Sequence, residues 1–180
     1  MLKTENLNDF YIKGFTTFLL PEVFKYNFDN FSFVQAGNQS DDFVYKNDPL
    51  LLPIINEFAD LIEQRYVSFF DTNYTNLRKL AANGCHVKAQ KWHDDQDTWT
   101  DLNICLVFNL YLDDTEEHKN GFDIKNESEE FNLFPKKGEL FMLNVSNVFK
   151  HKGNINNPNV NRRVMTFDYF VPSLNKSIQI

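Results

Sequence analysis

Residues 83–112 read NGCHVKAQKWHDDQDTWTDLNICLVFNLYL, and the spacing of apolar residues changes where this stretch begins. Before it, the apolar residues of the segment 50–70 recur every three or four positions, which predicts one amphipathic helix. A shorter helix is predicted at 20–24, where Pro21 lies in the first turn. After Asn83-Gly84 the period falls towards two, as in a β-strand.

This change of period predicts a run of strands separated by turn signals such as Asn120-Gly121. The strands are expected at 85–92, 102–112, 120–125, 129–134, 139–144, 147–151 and 161–171. Helices followed by strands are typical of the α+β class, with the helices packed on one sheet of a sandwich or barrel. With 180 residues, we expect a single domain over 1–180, in which 1–83 gives mainly helical support and 84–171 forms the β-core.

The composition limits the classes of function. The net charge of -7 and the isoelectric point near 5.0 argue against a nucleic-acid partner. The longest uncharged stretch, 102–112, is far shorter than the roughly 20 residues of a membrane-spanning helix, and the first residues lack an apolar signal-peptide region. We therefore expect a soluble, intracellular and cytoplasmic protein with no membrane partner, whose two cysteines, Cys85 and Cys105, are buried and reduced.

The residues with the clearest chemical meaning are His93 and Asp95, which follow the first predicted strand. Residues two positions apart on a strand end point to the same face, within reach of one metal ion. His151 lies at the end of a later strand, and two histidines with one carboxylate form the facial triad of non-heme Fe(II) oxygenases. A His-x-Asp pair alone is usually an ordinary solvated pair, and Asp94 is an alternative ligand, so the order of the three residues carries the prediction.

Arg162, at the start of the last predicted strand, supplies a charge that such a site needs. The open positions of the metal can bind a 2-oxo acid, whose far carboxylate then requires a cationic partner. A guanidinium is well suited, because its planar fork donates two parallel hydrogen bonds and its charge does not titrate away.

The order His93-x-Asp95, His151, Arg162 resembles that of the Fe(II)/2-oxoglutarate-dependent dioxygenases, and the flanking segments resemble their prolyl-hydroxylase-like branch. These segments are Phe108-Asn109-Leu110-Tyr111-Leu112-Asp113-Asp114, Asn120-Gly121-Phe122-Asp123 and Phe134-Pro135-Lys136-Lys137-Gly138-Glu139-Leu140. The resemblance covers residues 84–171. It implies a double-stranded β-helix, jelly-roll or cupin-like, buttressed by the N-terminal helices.

The resemblance also implies a role for each residue of the motif. His93, Asp95 and His151 would bind Fe(II) and form the catalytic centre. Arg162 would bind the C5 carboxylate of 2-oxoglutarate, helped by the hydroxyl of Tyr111.

The register of the last strand decides which arginine faces the site. A slip of one residue would place Arg163 there instead of Arg162. Arg162 is preferred, because Val164 then lies where the family usually has Ser and Thr166 lies on the same inward face. That register also turns Asp168 inward, which is unusual in a packed barrel and indicates either a substrate contact or a different register.

Enzymes of this family use dioxygen and 2-oxoglutarate, with ascorbate as an optional reductant, to hydroxylate a C–H bond with release of succinate and CO2. The resemblance therefore implies hydroxylation of a protein residue, with a prolyl residue as the leading guess, or of a small molecule. Two alternatives stay open: a non-catalytic cupin-like module that binds a metal or ligand, and a nucleic-acid demethylase of the same superfamily. The second would need a local basic surface around Lys150, Lys152, Arg162 and Arg163.

Overall fold

The structure is a computed structural model that describes residues 3–35, 49–83, 92–93, 105–117, 119–145, 148–154, 156–157, 160 and 162–177. The first half of the chain contains helix α1 (Thr4–Ile12), strand β1 (Phe15–Leu19), 3₁₀ turns Pro21–Lys25 and Phe28–Asn30, β2 (Val34–Gln35), a 3₁₀ turn Pro49–Leu51, α2 (Leu52–Ile62), a π turn Glu63–Val67, α3 (Ser68–Phe70) and β3 (Thr75–Asn83). The second half contains β4 (Leu106–Tyr111), β5 (Phe122–Lys125), β6 (Glu130–Leu133), β7 (Glu139–Asn144), β8 (Lys150–Gly153), β9 (Arg163–Phe170) and α4 (Pro172–Ser177). No described helix is long and apolar enough to cross a membrane.

The described strands form two sheets. The larger sheet has six strands in the order β1-β7-β4-β9-β3-β2, and the smaller has three in the order β6-β5-β8. All strand pairs are antiparallel except β2 with β3. In the centre of the larger sheet, Asn109 of β4 is opposite Thr166 of β9, and Tyr111 is opposite Val164. This register fixes which residues of the two strands share a face.

The helices cover one face of the larger sheet. The apolar residues on one side of α2 are buried in this layer: Ile54, Ile55, Phe58 and Ile62. They belong to one hydrophobic cluster with Phe108 of β4 and Phe167 of β9. The predicted helix at 50–70 is confirmed as a helical segment, although the π turn divides it into α2 and α3.

The other face of the larger sheet packs against the smaller sheet. The ring centroid of Phe122 on β5 lies 6.4 Å from that of Tyr111 on β4 and 5.2 Å from that of Phe141 on β7. Phe15 of β1 lies 5.5 Å from Phe131 of β6. Since successive side chains of a strand point to opposite faces, the residues between the two sheets differ from those under the helices.

The predicted strands agree with the structure in the second half and depart from it in the first. β7 occupies the predicted segment 139–144, β9 lies within 161–171, and β8 lies later than the predicted 147–151. The predicted residues 85–91 and 102–104, including Cys85, lie outside the described residues.

The segment 1–83 contributes strands β1, β2 and β3 to the larger sheet in addition to its helices. The sequence predicts no strand there. In β3, the polar residues Asn76, Arg78 and Lys79 interrupt the apolar alternation on which a strand prediction depends.

Candidate active site

His93 and His151 lie side by side at the edge of the smaller sheet. The backbone N–H of His93 donates to the carbonyl of His151 at 3.0 Å, and the N–H of His151 donates back to the carbonyl of His93 at 2.8 Å. This antiparallel bridge places the described residues Trp92 and His93, here called the His93 segment, beside β8. The two imidazole centroids are 4.5 Å apart with their planes inclined by 56°, a separation at which both rings can contact one ion.

Both imidazoles belong to the side of the smaller sheet that faces the larger sheet. His151 is opposite Ile124 of β5, and Ile124 is buried in the hydrophobic cluster between the sheets. Residues directly opposite each other in an antiparallel pair have their side chains on the same face. The imidazole of His93 therefore lies on the same face as the side chains of His151 and Ile124. Each histidine is half-buried at this position.

The third predicted ligand, Asp95, lies outside the described residues, as does its alternative Asp94. Within the described part of the chain, no group of three or more His, Cys, Asp or Glu side chains is arranged to hold a metal ion. The structure therefore brings two of the three predicted metal ligands together.

Arg162 lies immediately before β9 and is 8% exposed. Its guanidinium carbon is 5.8 Å from the ring centroid of Tyr111, which ends β4. Nε and Nη1 of Arg162 are buried and have no hydrogen-bond partner among the described residues. These two nitrogen donors are available to an anion, and such a partner would offset the cost of burying them unpaired.

Tyr111 is 1% exposed beside Arg162. Burial raises the pKa of the Tyr111 hydroxyl, and the Arg162 guanidinium opposes this shift only in part. The phenol therefore keeps its proton at neutral pH and can act as a hydrogen-bond donor.

Arg163 is engaged elsewhere. Its backbone N–H donates to Asp113 Oδ2 at 2.7 Å, and its Nε donates to the same oxygen at 2.9 Å. Its Nη1 lies 2.8 Å from Asp29 Oδ1. The hydrogen bonds to Asp113 raise the pKa of Arg163, and they hold its side chain on the opposite side of the strand from Arg162.

Further polar residues lie between the sheets. The Thr166 hydroxyl donates to Asn109 Oδ1 at 2.8 Å, and Asp168 is fully buried on the same face of β9. Val164, on that face too, belongs to the hydrophobic cluster between the sheets. The structure thus has the register that turns Val164, Thr166 and Asp168 inward. The hydrogen bond between Thr166 and Asn109 was not predicted. The one sequence signal for it is that Asn109 is a polar residue in an otherwise apolar strand.

Asn120 connects two loops near the site, and it is 1% exposed. Its Oδ1 accepts hydrogen bonds from the backbone N–H groups of Asn156 at 2.9 Å and Asn157 at 2.8 Å. Its Nδ2 donates to the carbonyl of Asn157 at 2.8 Å. Asn120 therefore fixes part of the segment between β8 and Arg162, a role that the Asn120-Gly121 turn signal alone does not reveal.

Three of the four basic residues proposed for a nucleic-acid surface are engaged within the protein, and Lys150 is exposed. Arg162 is buried between the sheets, and Arg163 binds Asp113 and Asp29. Lys152 Nζ lies 3.2 Å from Asp123 Oδ2, with the Asp123 side chain 4% exposed. These contacts argue against the demethylase alternative, because paired and buried charges do not attract a phosphate backbone.

Neither protein-family models nor curated proteins match the sequence. Solved structures do match the fold at low sequence identity. HygX from Streptomyces hygroscopicus, solved with nickel and 2-oxoglutarate, has a TM-score of 0.67 and 14% identity, with 96% of this chain and 88% of that chain covered. A prolyl hydroxylase from Trichoplax adhaerens, in complex with a hypoxia inducible factor peptide fragment, has a TM-score of 0.63 and 13% identity, covering 92% of this chain and 87% of that one. A 2OG-Fe(II) oxygenase family protein from Burkholderia pseudomallei has a TM-score of 0.65 and 13% identity, covering 92% and 88%.

The fold of this chain, with helices packed on mixed and antiparallel sheets, is the fold of the 2-oxoglutarate- and Fe(II)-dependent oxygenases. Prolyl hydroxylases are among the proteins that share it. The predicted resemblance to these oxygenases is thereby confirmed at the level of the fold.

Proposed function

We propose that this chain is an Fe(II)- and 2-oxoglutarate-dependent dioxygenase that hydroxylates a C–H bond and releases succinate and CO2. Its core is a double-stranded β-helix within one domain over 1–180, buttressed by the N-terminal helices. The observation that carries the proposal is Arg162, whose Nε and Nη1 are buried without a hydrogen-bond partner among the described residues, on a fold shared with such enzymes.

The histidine pair fits the metal. Imidazole nitrogens and a carboxylate oxygen are ligands that suit Fe(II), and the 4.5 Å separation of the rings of His93 and His151 allows both to reach one ion. Asp95 is assigned as the third ligand from its place in the motif. Together, these three residues would leave open positions for the cosubstrate and dioxygen.

Arg162 and Tyr111 fit the cosubstrate. The unpartnered Nε and Nη1 of Arg162 are donors that a carboxylate oxygen can accept from, and burial makes such a hydrogen bond stronger than it would be in water. The hydroxyl of Tyr111, kept protonated by its raised pKa, can donate a further hydrogen bond. Arg163 cannot replace Arg162 without giving up its contacts with Asp113 and Asp29.

Fe(II) and 2-oxoglutarate, when bound, would supply the oxidative chemistry, with ascorbate as an optional reductant. The protein residues supply binding, orientation and the exclusion of water. Arg162 would hold the C5 carboxylate of the cosubstrate and thereby orient its other end. Phe122, Phe141 and Val164 surround Tyr111 with apolar groups, which keeps water from competing for the hydrogen bonds.

The substrate class is proposed as a protein residue, prolyl as the leading choice, or a small molecule. Among structures of the same fold, one is a prolyl hydroxylase with a peptide bound, and another is HygX with hygromycin B bound. Both kinds of substrate are therefore compatible with this fold.

The first experiment is a thermal-shift titration of the metal-free protein with Mn(II), which replaces Fe(II) without reacting with dioxygen, in the presence and absence of 2-oxoglutarate. A ligand that binds only the folded state at a hundred times its Kd stabilises it by about 2.7 kcal/mol. We expect 2-oxoglutarate to raise the melting temperature only when Mn(II) is present.

Variants separate the contributions of the residues. His93→Ala and His151→Ala should lose the Mn(II) effect and iron-dependent succinate formation. Arg162→Met should keep the Mn(II) effect and lose the 2-oxoglutarate effect, whereas the matched variant Arg163→Met should keep both. Undiminished turnover in both histidine variants would end the assignment. Metal binding without any 2-oxoglutarate effect would favour a non-catalytic cupin-like module.

A further inference from the structure

Four side chains form a charged and aromatic cluster on the other side of the smaller sheet from the histidine pair. This group, the Trp92 cluster, consists of Trp92, Asp123, Lys125 and Lys152. The Nζ of Lys125 lies 4.4 Å from the Trp92 ring centroid, and the Nζ of Lys152 lies 4.6 Å from it. Both distances are within the range of a cation–π interaction.

The backbone register places this cluster directly behind the imidazoles. Trp92 precedes His93, and Lys152 follows His151, so both point away from the face that carries the imidazoles. Asp123 of β5 is opposite Lys152 of β8, just as Ile124 is opposite His151. The cluster therefore links three neighbouring backbone segments: the Trp92-His93 segment, β8 and β5.

Within the Trp92 cluster, an ion pair connects β8 to β5. Lys152 Nζ is 3.2 Å from Asp123 Oδ2, with the lysine side chain 25% exposed and the aspartate side chain 4% exposed. The same ammonium contacts the Trp92 ring. Lys152 is thus the one described residue that touches both the buried carboxylate and the aromatic ring next to His93.

Among the described residues, the backbone contact of the His93 segment with β8 is a single bridge of two hydrogen bonds. The pairing of two backbone segments can open locally at a free energy below that of global unfolding. Side-chain contacts on the opposite face would add to the resistance of this bridge against local opening.

We infer that Lys152, through Asp123 and Trp92, is a positioning residue that holds the His93 segment against β8 and so keeps the two imidazoles at their short separation. The inference deepens the proposed function, because it concerns the same histidine pair. Its first test is independent of any metal.

The first test measures hydrogen exchange at the backbone amides of His93 and His151 in the metal-free protein by NMR. Lys152→Met, which keeps the aliphatic stem and removes the charge, should speed exchange at His93 about tenfold or more. Lys152→Arg, which restores an ion pair and a cation over the ring, should stay near the wild-type rate. The control is Lys150→Met, an exposed lysine two positions away on the same strand and face. Equal His93 exchange in Lys152→Met and Lys150→Met would overturn the inference.

A double variant guards against an artefact of the buried charge. Lys152→Met leaves Asp123 without its partner, which can destabilise the whole fold. In Asp123→Asn with Lys152→Met, that uncompensated charge is removed while the cluster is still broken. Faster exchange at His93, with amides in β4 and β9 unchanged, supports a local positioning role, whereas faster exchange throughout the protein contradicts it.

The second test measures the Kd for Mn(II). Loss of a residue that orients metal ligands typically weakens metal binding about 10- to 100-fold, and we expect this for Lys152→Met but not for Lys150→Met or Lys152→Arg. Unchanged Mn(II) binding in Lys152→Met would contradict the effect on the imidazoles. Unchanged Mn(II) binding in His151→Ala would refute the proposed function instead. The exchange experiment would still test whether Lys152 holds the His93 segment against β8.

Discussion

The two faces of the larger sheet differ in what they bury. Towards the helices, β4 and β9 contribute apolar and aromatic side chains such as Phe108, Met165 and Phe167 to a single cluster. Towards the smaller sheet, the same strands present Asn109 and Thr166 among apolar neighbours. We expect from this difference that the helix-facing side supplies most of the stability, which would allow the other face to carry the polar groups of the proposed cosubstrate site.

The largest effect should come from the helix-facing side. Phe167→Ala is expected to lower the free energy of unfolding by about 3–5 kcal/mol, because it removes a fully buried ring and leaves a cavity. Thr166→Ala, at the next residue on the other face, should cost only about 1 kcal/mol, the value of its hydrogen bond to Asn109. Equilibrium urea unfolding measures both. Similar losses would show that the two faces contribute equally to stability.

A smaller effect is expected at Asn120, which supports the polar face from a loop. Asn120→Ala removes four hydrogen bonds at a buried position and should cost about 2 kcal/mol. The matched control is Asn126→Ala, because Asn126 Oδ1 also accepts two backbone N–H groups, both at 2.8 Å, but in a more exposed turn. That control should cost about 1 kcal/mol or less. Equal losses of unfolding free energy in the two variants would mean that burial does not increase the contribution of Asn120 to stability.

Substitution of the two adjacent arginines, Arg162 and Arg163, should affect the free energy of unfolding differently. Arg163→Met breaks the contacts with Asp113 and Asp29 and should cost about 1–2 kcal/mol, reduced by the exposure of Asp29. Arg162→Met should leave stability unchanged or raise it by about 1 kcal/mol, because it removes two buried donors without partners. Urea unfolding of both variants, each with its own baseline, provides the comparison. A larger loss in Arg162→Met would make Arg162 a structural residue.

The same comparison shows what could be predicted from sequence. The turn signal that ends at Gly138 separates the predicted strands 129–134 and 139–144, which correspond to β6 and β7, and the order of His93 and His151 predicts a pair that the structure does bring together. The partnership of Asn109 with Thr166 could not be predicted, since it depends on the register between β4 and β9. Local patterns therefore located strands and the histidine pair, whereas contacts between distant segments needed the folded chain.

The smallest effect concerns Cys105, a buried free thiol that precedes β4 and belongs to the helix-facing cluster. Burial raises the pKa of its thiol from 9.0 to about 11, against a smaller lowering by the hydrogen bond from the backbone of Val171. Since the raised pKa belongs to the folded state, this contribution to stability is complete below pH 9 and is lost as the pH rises towards 11. Between pH 8 and pH 10 the wild type should lose about 1 kcal/mol more than Cys105→Ala, measured by urea unfolding at each pH. The comparison uses only the change in stability with pH, not the difference at pH 8, because all other titrating groups are common to both proteins. Parallel pH profiles would mean that this thiol is not desolvated, and the helix-facing side would then be less dry than its apolar side chains indicate.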